Sequence, residues 1–242
     1  PNAGLPVLEN GKTVFNIKAE EFADFMEEIY ILGVSVIGSC CGSTPEFTKK
    51  LSDKFKGRRV LKRNINQNLI LSTRTTIKEV SRGKLFVVGE RINTTGRKKL
   101  RRELETGRLT TVRMDAKEQE KHGCSALDIN INIHNLEIAT AKNIFKTLQN
   151  MVSIPLVIDS TNPALITEFS KLYGGKGIIN SFSGEKDSLK HLIPIAKKYN
   201  MAFIAILLDD KGISDSAKER LKIAGNIAKK ATKQGIPLKN II

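Results

Sequence analysis

The sequence contains no tryptophan, and aromatic residues make up only 5% of its 242 positions. Stacking platforms for nucleobases are therefore sparse. There are three cysteines, Cys40, Cys41 and Cys124. That is too few for a disulfide framework, and a reducing cytoplasm is the expected setting. No apolar run approaches the roughly 18–20 residues that a membrane-spanning helix needs. No signal-peptide pattern opens the chain, and no glycine-rich dinucleotide fingerprint follows any strand-like run. The chain begins with Pro1 rather than an initiator Met, which suggests a piece of a longer protein.

Positive charge is what the sequence has in excess. Lys and Arg number 40 against 25 Asp and Glu, a formal charge of +15. Such a surface can serve nucleic acid or another polyanion. Here the basic pairs Lys49-Lys50, Lys197-Lys198 and Lys229-Lys230 fall within amphipathic helix patterns and are not interleaved with aromatics. Solvated helix faces account for them, and neither nucleic acid nor membrane is expected as a partner. A hydrophobic content of 40% supports a real core. The length suits one large domain or two small ones.

Helical spacing of Phe22, Phe25, Met26 and Ile29 predicts a helix over Glu20–Leu32, ended by Gly33. Val34–Gly38 reads as a short buried strand running into Ser39-Cys40-Cys41-Gly42-Ser43-Thr44-Pro45. A second helix follows, with Thr44 as cap and Phe47 and Leu51 facing inward. Residues 58–83, rich in Arg, Asn, Ser and Thr, read as a connector between a unit at 1–57 and another at 84–242. In the latter, five strand-like runs recur: Leu85–Gly89, Ala126–Asn130, Pro155–Asp159, Gly177–Asn180 and Ala202–Leu208. Helical stretches at Asn135–Gln149, Thr161–Leu172, Asp187–Tyr199 and Ser214–Gln234 separate them, with Pro194 expected to mark a new first turn. Strands alternating with helices imply a parallel sheet with crossovers. Polar strand ends favour a (β/α) barrel, whose ligands bind on that face. A doubly wound sheet is the alternative. Ile236–Ile242 reads as the approach to a sixth strand.

Two groups of residues could carry chemistry. Adjacent side chains on a strand point to opposite faces, so Cys40 and Cys41 can reach one metal only where the backbone turns, as Gly38 and Gly42 would allow. Zinc favours thiolates; two buried small hydrophobes are the other reading of the pair. The second group is the row of strand-end residues: Glu90 and Asn93, Asp128 and Asn130, Asp159, Asn180 and Asp209. Barrel geometry would bring them to one mouth, where carboxylates and amides can read the edge of a heterocycle. Turn formers and helix caps would also be Asp and Asn.

The segment G-S-C-C-G-S-T-P (Gly38–Pro45) resembles the G-G-C-C-G-T signature of the homocysteine domain in the cobalamin-dependent methionine synthase family. Pro1–Pro6 resembles the segment shortly after that domain's third zinc cysteine. V-G-E-R-I-N-T-T-G-R-K-K-L (Val88–Leu100) is similar to the opening motif of the family's methyltetrahydrofolate domain. G-C-S-A-L-D-I-N, P-L-V-I-D-S-T-N-P, I-I-N-S-F-S-G-E and L-L-D-D-K-G-I follow in the family's order, so the resemblance covers nearly the whole chain.

The resemblance implies an α/β chain: the end of one (β/α)8 barrel, then the first five βα units of a second, truncated pterin-binding (β/α)8 barrel. It implies zinc on Cys40 and Cys41 with homocysteine as its ligand. It places Glu90, Asp159 and Asn180 around the pterin of 5-methyltetrahydrofolate, with Asn93, Asp128, Asn130 and Asp209 lining the same mouth. Asp159 and Asn180 are expected to matter most for methyl transfer. Methyl passes in the family to cobalamin, held by a further domain, and then to homocysteine, forming methionine. Ser39 and Asn132 stand where the family usually has Gly. The third zinc cysteine would precede Pro1 and a sixth-strand pterin Asp would follow Ile242, so both sites are expected to be incomplete and the chain inactive alone. Rival readings are a corrinoid-protein methyltransferase, a dihydropteroate synthase relative, or a non-catalytic basic nucleic-acid-binding module.

Overall fold

A computed structural model describes residues 1–63, 68–133 and 136–242. The chain divides into two compact units, Pro1–Asn66 and Gln67–Ile242.

In the first unit, β1 (Pro6–Glu9) and β2 (Lys12–Phe15) form an antiparallel hairpin with Glu9 opposite Lys12. Asn10 and Gly11 both take positive φ, 49° and 73°, as a two-residue I′ turn requires. Helices α1 (Ala19–Ile31) and α2 (Pro45–Phe55) follow. Their apolar stripes meet, with Phe22 and Phe47 edge to face at 5.4 Å between ring centroids. Met26, Leu51 and Ala3 complete this small core. Phe25 points away and is 48% exposed. Gly33 ends α1 at φ 78°. Thr44 takes the N-cap of α2 with Pro45 in the first turn, but its hydroxyl makes no capping bond. The strand expected at Val34–Gly38 is absent, and Val36 is almost fully exposed. An extended segment becomes a strand only by hydrogen bonding to a neighbour. The strands described in this unit, β1 and β2, pair with each other.

In the second unit, β3 (Leu69–Ser72) and β4 (Ile77–Val80) form an antiparallel hairpin within the 58–83 stretch. The alternating part runs β5 (Val88–Asn93), α3 (Lys98–Glu105), α4 (Thr110–Lys121), β6 (Ala126–Asn130), α5 (Ile138–Met151), β7 (Leu156–Asp159), α6 (Pro163–Leu172), β8 (Ile178–Ser183), α7 (Lys186–Lys198), β9 (Ala202–Ile206), β10 (Leu208–Asp209), β11 (Gly212–Ile213) and α8 (Ala217–Lys233). The five main strands pair in parallel in the order β5-β6-β7-β8-β9. A doubly wound sheet reverses its order at a switch point. Sequential parallel order with helical crossovers is instead the arc of a (β/α) barrel. After a 3-10 turn at Leu238–Asn240, Ile242 donates to the Phe203 carbonyl at 2.9 Å and accepts from Ala205 at 2.8 Å. Ile241 thus forms a parallel bridge with Phe203 of β9.

Strand alternation divides the residues between two layers. Leu127, Ile129, Leu156, Ile158, Ile179 and Phe203 face the helices and share a core with residues such as Phe145, Phe169 and Leu192. Ala126, Val157, Ile178 and Ala202 face the opposite way and pack with Leu69 and Leu71 of the hairpin. The hairpin thus closes the N-terminal end of the arc. It is pinned there by paired bonds between Ser72 and Lys176, at 2.9 and 3.0 Å.

Several expected boundaries move. β5 begins at Val88, not Leu85, which is 89% exposed; Val87 and Ser125 mark where pairing with β6 starts. The run expected to Leu208 ends at Ile206, because Leu208–Asp209 pairs back on Gly212–Ile213. Pro194 lies inside α7 rather than opening a new helix. It is exposed while Leu192, Ile193 and Ala196 are buried, so the packed face carries the helix past the missing N–H. Asn135, the expected start of α5, lies outside the described residues. No helix among the described residues is long and apolar enough to cross a membrane.

Candidate functional site: a carboxylate and amide mouth

The inward layer turns polar at the C-terminal ends of the strands. Asn93 pairs in register with Asn130, and Asp159 with Asn180. Asp128 sits level with Val157 instead. It is thus one layer deeper than Asp159, which explains why Asp128 is 2% exposed and Asp159 only half-buried. In β5 the ladder shifts between Gly89 and Ile92, so that Glu90 and Arg91 together oppose Asp128.

Two crossed hydrogen bonds tie the mouth together, one within the outer layer and one reaching to the deeper Asp128. Asn130 Nδ2 donates to Asp159 Oδ2 at 2.7 Å, and Asn180 Nδ2 donates to Asp128 Oδ2 at 3.0 Å. Asn93 donates to Glu90 Oε1 at 3.1 Å. Burial pushes the Asp128 carboxyl up to about 7; the Asn180 bond opposes this, and the charges of Asp159 and Glu90 add to it. Asp159 is raised as well, by burial first, against the Asn130 bond and with Glu90 contributing. Asp128 Oδ1 is buried without a hydrogen-bond partner among the described residues. Buried polar atoms are nearly always satisfied, so this lone pair is a position for an incoming donor. The mouth offers acceptors to an N–H edge, donors from two amides, and one carboxyl able to carry a proton near neutrality.

The structure therefore brings Glu90, Asn93, Asp128, Asn130, Asp159 and Asn180 together. Asp209 lies on the β10–β11 hairpin, beside Gly184 just past the end of β8. It accepts from its own Lys211 N–H at 2.9 Å and lines a cavity of about 610 Å³ with Lys211, Ser214 and Lys222. Sequence reasoning missed Ser160, whose hydroxyl donates to Asn132 Oδ1 at 3.0 Å and accepts from the Asn162 N–H at 3.1 Å. Its position directly after a strand-end Asp was the available signal. Asn162 caps α6, accepting from Ala164 and Leu165 at 2.9 and 3.4 Å.

The cysteine pair occupies a turn, not a strand. Ser43 N–H closes it onto the Cys40 carbonyl at 3.2 Å, and Ala3 N–H donates to the Cys41 carbonyl at 3.0 Å. Gly42 has φ 79°, and a β-carbon there would lie 2.2 Å from the Phe15 ring. Gly42 therefore supplies the turn, whereas Gly38 has no positive φ. Both thiols are exposed, against the buried-hydrophobe reading, with Sγ atoms 3.8 Å apart. Two thiolates on one tetrahedral zinc at Zn–S bonds of about 2.3 Å stand about 3.8 Å apart. The pair fits two of zinc's positions. Among the described residues no group of three or more His, Cys, Asp and Glu is gathered for a metal. Cys124 is partly buried against the core of the second unit.

The family model for pterin binding enzymes matches residues 89–242, and that for homocysteine S-methyltransferases matches residues 1–55. The chain is homologous to methionine synthase of Mycobacterium tuberculosis (strain ATCC 25618 / H37Rv), at 25% identity over 232 residues, 93% of this chain and 20% of that protein. It thus spans about a fifth of the length of this curated relative. Dihydropteroate synthase of Yersinia pestis, solved with a pterine–sulfa conjugate, superposes with a TM-score of 0.53 at 15% identity, over 72% of this chain and 62% of that one. Dihydropteroate synthase of Xanthomonas albilineans, in complex with indole-2-carboxylic acid and 6-chloroguanine, gives 0.52 at 12% identity, over 72% and 64%. At these identities the likeness is one of fold.

Proposed function

The chain belongs to the family of pterin binding enzymes, and from that premise we propose that it carries the methyltetrahydrofolate site of a methionine synthase. The observation that carries the reading is the crossed Asn130–Asp159 and Asn180–Asp128 network at the mouth. The pterin edge presents an amino group and a ring N–H beside a carbonyl and ring nitrogens. Carboxylates suit the first pair and amides the second. Asp128 Oδ1, buried and without a partner among the described residues, is an acceptor position for such an edge. Asp209 joins this set only if its hairpin turns toward the mouth.

Methyl transfer needs the methyl-bearing ring nitrogen to leave, which protonation favours. Asp128, with its carboxyl pushed up to about 7, can hold a proton at neutral pH, and Asn180 is hydrogen-bonded directly to it. Groups that favour the protonated pterin lower the barrier by electrostatic preorganisation. Reduced cobalamin, on another domain of the whole protein, is the methyl acceptor in this reading.

In the first unit, Cys40 and Cys41 would hold zinc, which keeps homocysteine sulfur as a thiolate at neutral pH. The extents proposed are residues 1–57 for the end of the homocysteine barrel, 58–83 as the connection and 84–242 for the pterin barrel. The homocysteine S-methyltransferase match at residues 1–55 favours this over a dihydropteroate synthase activity.

The test is 5-methyltetrahydrofolate binding by calorimetry. Asp159→Ala leaves ligand donors unpaired, a loss on the order of 1–3 kcal/mol, or roughly ten- to a hundredfold in affinity. Asp159→Asn replaces an acceptor with a donor and should cost nearly as much. Asp210→Asn, on the exposed side of the hairpin, should cost little. Unchanged affinity in both Asp159 variants would reduce this strand end to a capping turn.

A further inference from the structure

The bulge in β5 is held from outside the mouth by side chains that the proposed pterin site does not include. Regular alternation from Gly89, which faces the helices opposite Leu127, would send Glu90 inward and Asn93 outward. The extra residue reverses the second of these, so that Ile92 joins the helix-side core and Glu90 and Asn93 share one face, hydrogen-bonded at 3.1 Å. A bulge leaves backbone groups without ladder partners. Here the Arg91 N–H donates to Gln119 Oε1 of α4 at 2.8 Å. The Arg91 carbonyl accepts from the Arg97 guanidinium. Arg97 is in turn held by Asp115 Oδ2 at 2.6 Å, and Gln119 Nε2 donates to the Asp115 carbonyl at 3.1 Å. Gln119 and Asp115 are both buried, at 6% and 7% exposure. Gly89 has no room for a side chain, since a β-carbon would lie 2.5 Å from Gln119 Oε1 and 2.9 Å from Cys124 Sγ.

We propose that Gln119, Arg97 and Asp115 form a clamp that fixes this bulge and so presents Glu90 and Asn93 together to the pterin. They are positioning residues, and the inference rests on the mouth being the pterin site. Without the clamp, the ladder can resume regular alternation, and a one-residue slip exchanges the faces of every later side chain.

The test compares Gln119→Leu, which removes the acceptor; Gln119→Glu, which keeps it; Arg97→Gln; and Glu90→Gln as the benchmark. Two readouts are followed: 5-methyltetrahydrofolate affinity and the titration of the Asp128 carboxyl by NMR. Gln119→Leu and Arg97→Gln should each weaken binding about tenfold, as expected for one lost hydrogen bond. Both should also raise the Asp128 titration further, because regular alternation keeps Glu90 inward and turns away Asn93, whose amide now donates to Glu90 Oε1. Gln119→Glu keeps the acceptor for the Arg91 N–H but loses the donor to the Asp115 carbonyl, so it should recover binding in part. Wild-type affinity and titration in Gln119→Leu would overturn the proposal. Should Gln119→Leu not fold, Arg97→Gln, at a side chain 34% exposed, carries the same test. Normal binding in Glu90→Gln would remove Glu90 from the pterin site, and the Asp128 titration would then judge the clamp by itself.

Discussion

Replacing Asp128 with Asn will stabilise the second unit above neutral pH and flatten its pH dependence. The folded carboxyl titrates near 7 rather than 3.8. Between those values the folded state retains a proton that the unfolded state has released, so stability falls as pH rises through the window. The contribution is fully present below the unfolded value and lost above about 7. Its ceiling is about 4 kcal/mol at about 1.4 kcal/mol per pH unit. Relaxation and water penetration in a real site bring it to on the order of 2 kcal/mol. An Asn at 128 carries no charge and still offers Asn180 Nδ2 an acceptor where Asp128 Oδ2 now stands, 3.0 Å away. The assay is urea unfolding at pH 5 and pH 8 for both proteins. The wild-type midpoint should drop between the two, and that of Asp128→Asn should move less. Glu103, Glu120 and Glu168, which titrate below their ordinary value and act with the opposite sign, are common to both proteins and cancel. Parallel pH slopes would refute the account of Asp128 as a buried, proton-retaining carboxyl. The same variant should weaken 5-methyltetrahydrofolate binding, so this position exchanges stability for function.

Three further outcomes are expected. Zinc binding by the chain will be weak, since Cys40 and Cys41 supply two of four positions, and either Cys→Ser change should abolish it; undiminished zinc in the double variant would remove the pair as ligands. Gly42→Ala should lower the thermal midpoint of the first unit, because the left-handed φ of 79° costs a side chain about 1–2 kcal/mol even before the Phe15 ring gives way; an unchanged midpoint would show that the turn relaxes freely. Asn162→Ala should cost about 1 kcal/mol of stability through the lost N-cap of α6, read as a urea midpoint shift, and no shift would mean that Pro163 alone sets the helix start.

The alternation of strands and helices was legible because each βα unit is written in local patterns. β6 begins and ends where its apolar run does, and Asn162-Pro163 announces the start of α6. What failed depended on partners distant in sequence. Val34–Gly38 has the composition of a strand, but among the described residues no strand lies beside it. Leu85 is apolar enough for β5, yet pairing with β6 begins only where Val87 meets Ser125. Pro194 is a helix breaker in isolation and tolerable on the exposed face of a well-packed helix. The β1–β2 hairpin carries a local signal of its own, Asn10-Gly11 between two β-prone runs.

The site divides along the same line. A period of two places Asp128 and Asn130 on one face of β6, and the strand ends were therefore readable as a set. Their chemical differences were not, because depth follows from the stagger between strands. Asp128 pairs with Val157 and Asp159 with Asn180, so identical side chains sit in different layers, one buried and protonatable near neutrality, the other nearer the opening. Glu90 and Asn93 show the limit from the other side. Their spacing of three is wrong for one face of a regular strand, and only the bulge makes them neighbours. The residues that hold the bulge, Gln119 and Arg97, lie outside the strand; Arg97 falls in the motif that follows it, and Gln119 in none. A site built on a ladder is thus written in the strands, while its irregularities are written in whatever satisfies the backbone groups the ladder leaves over.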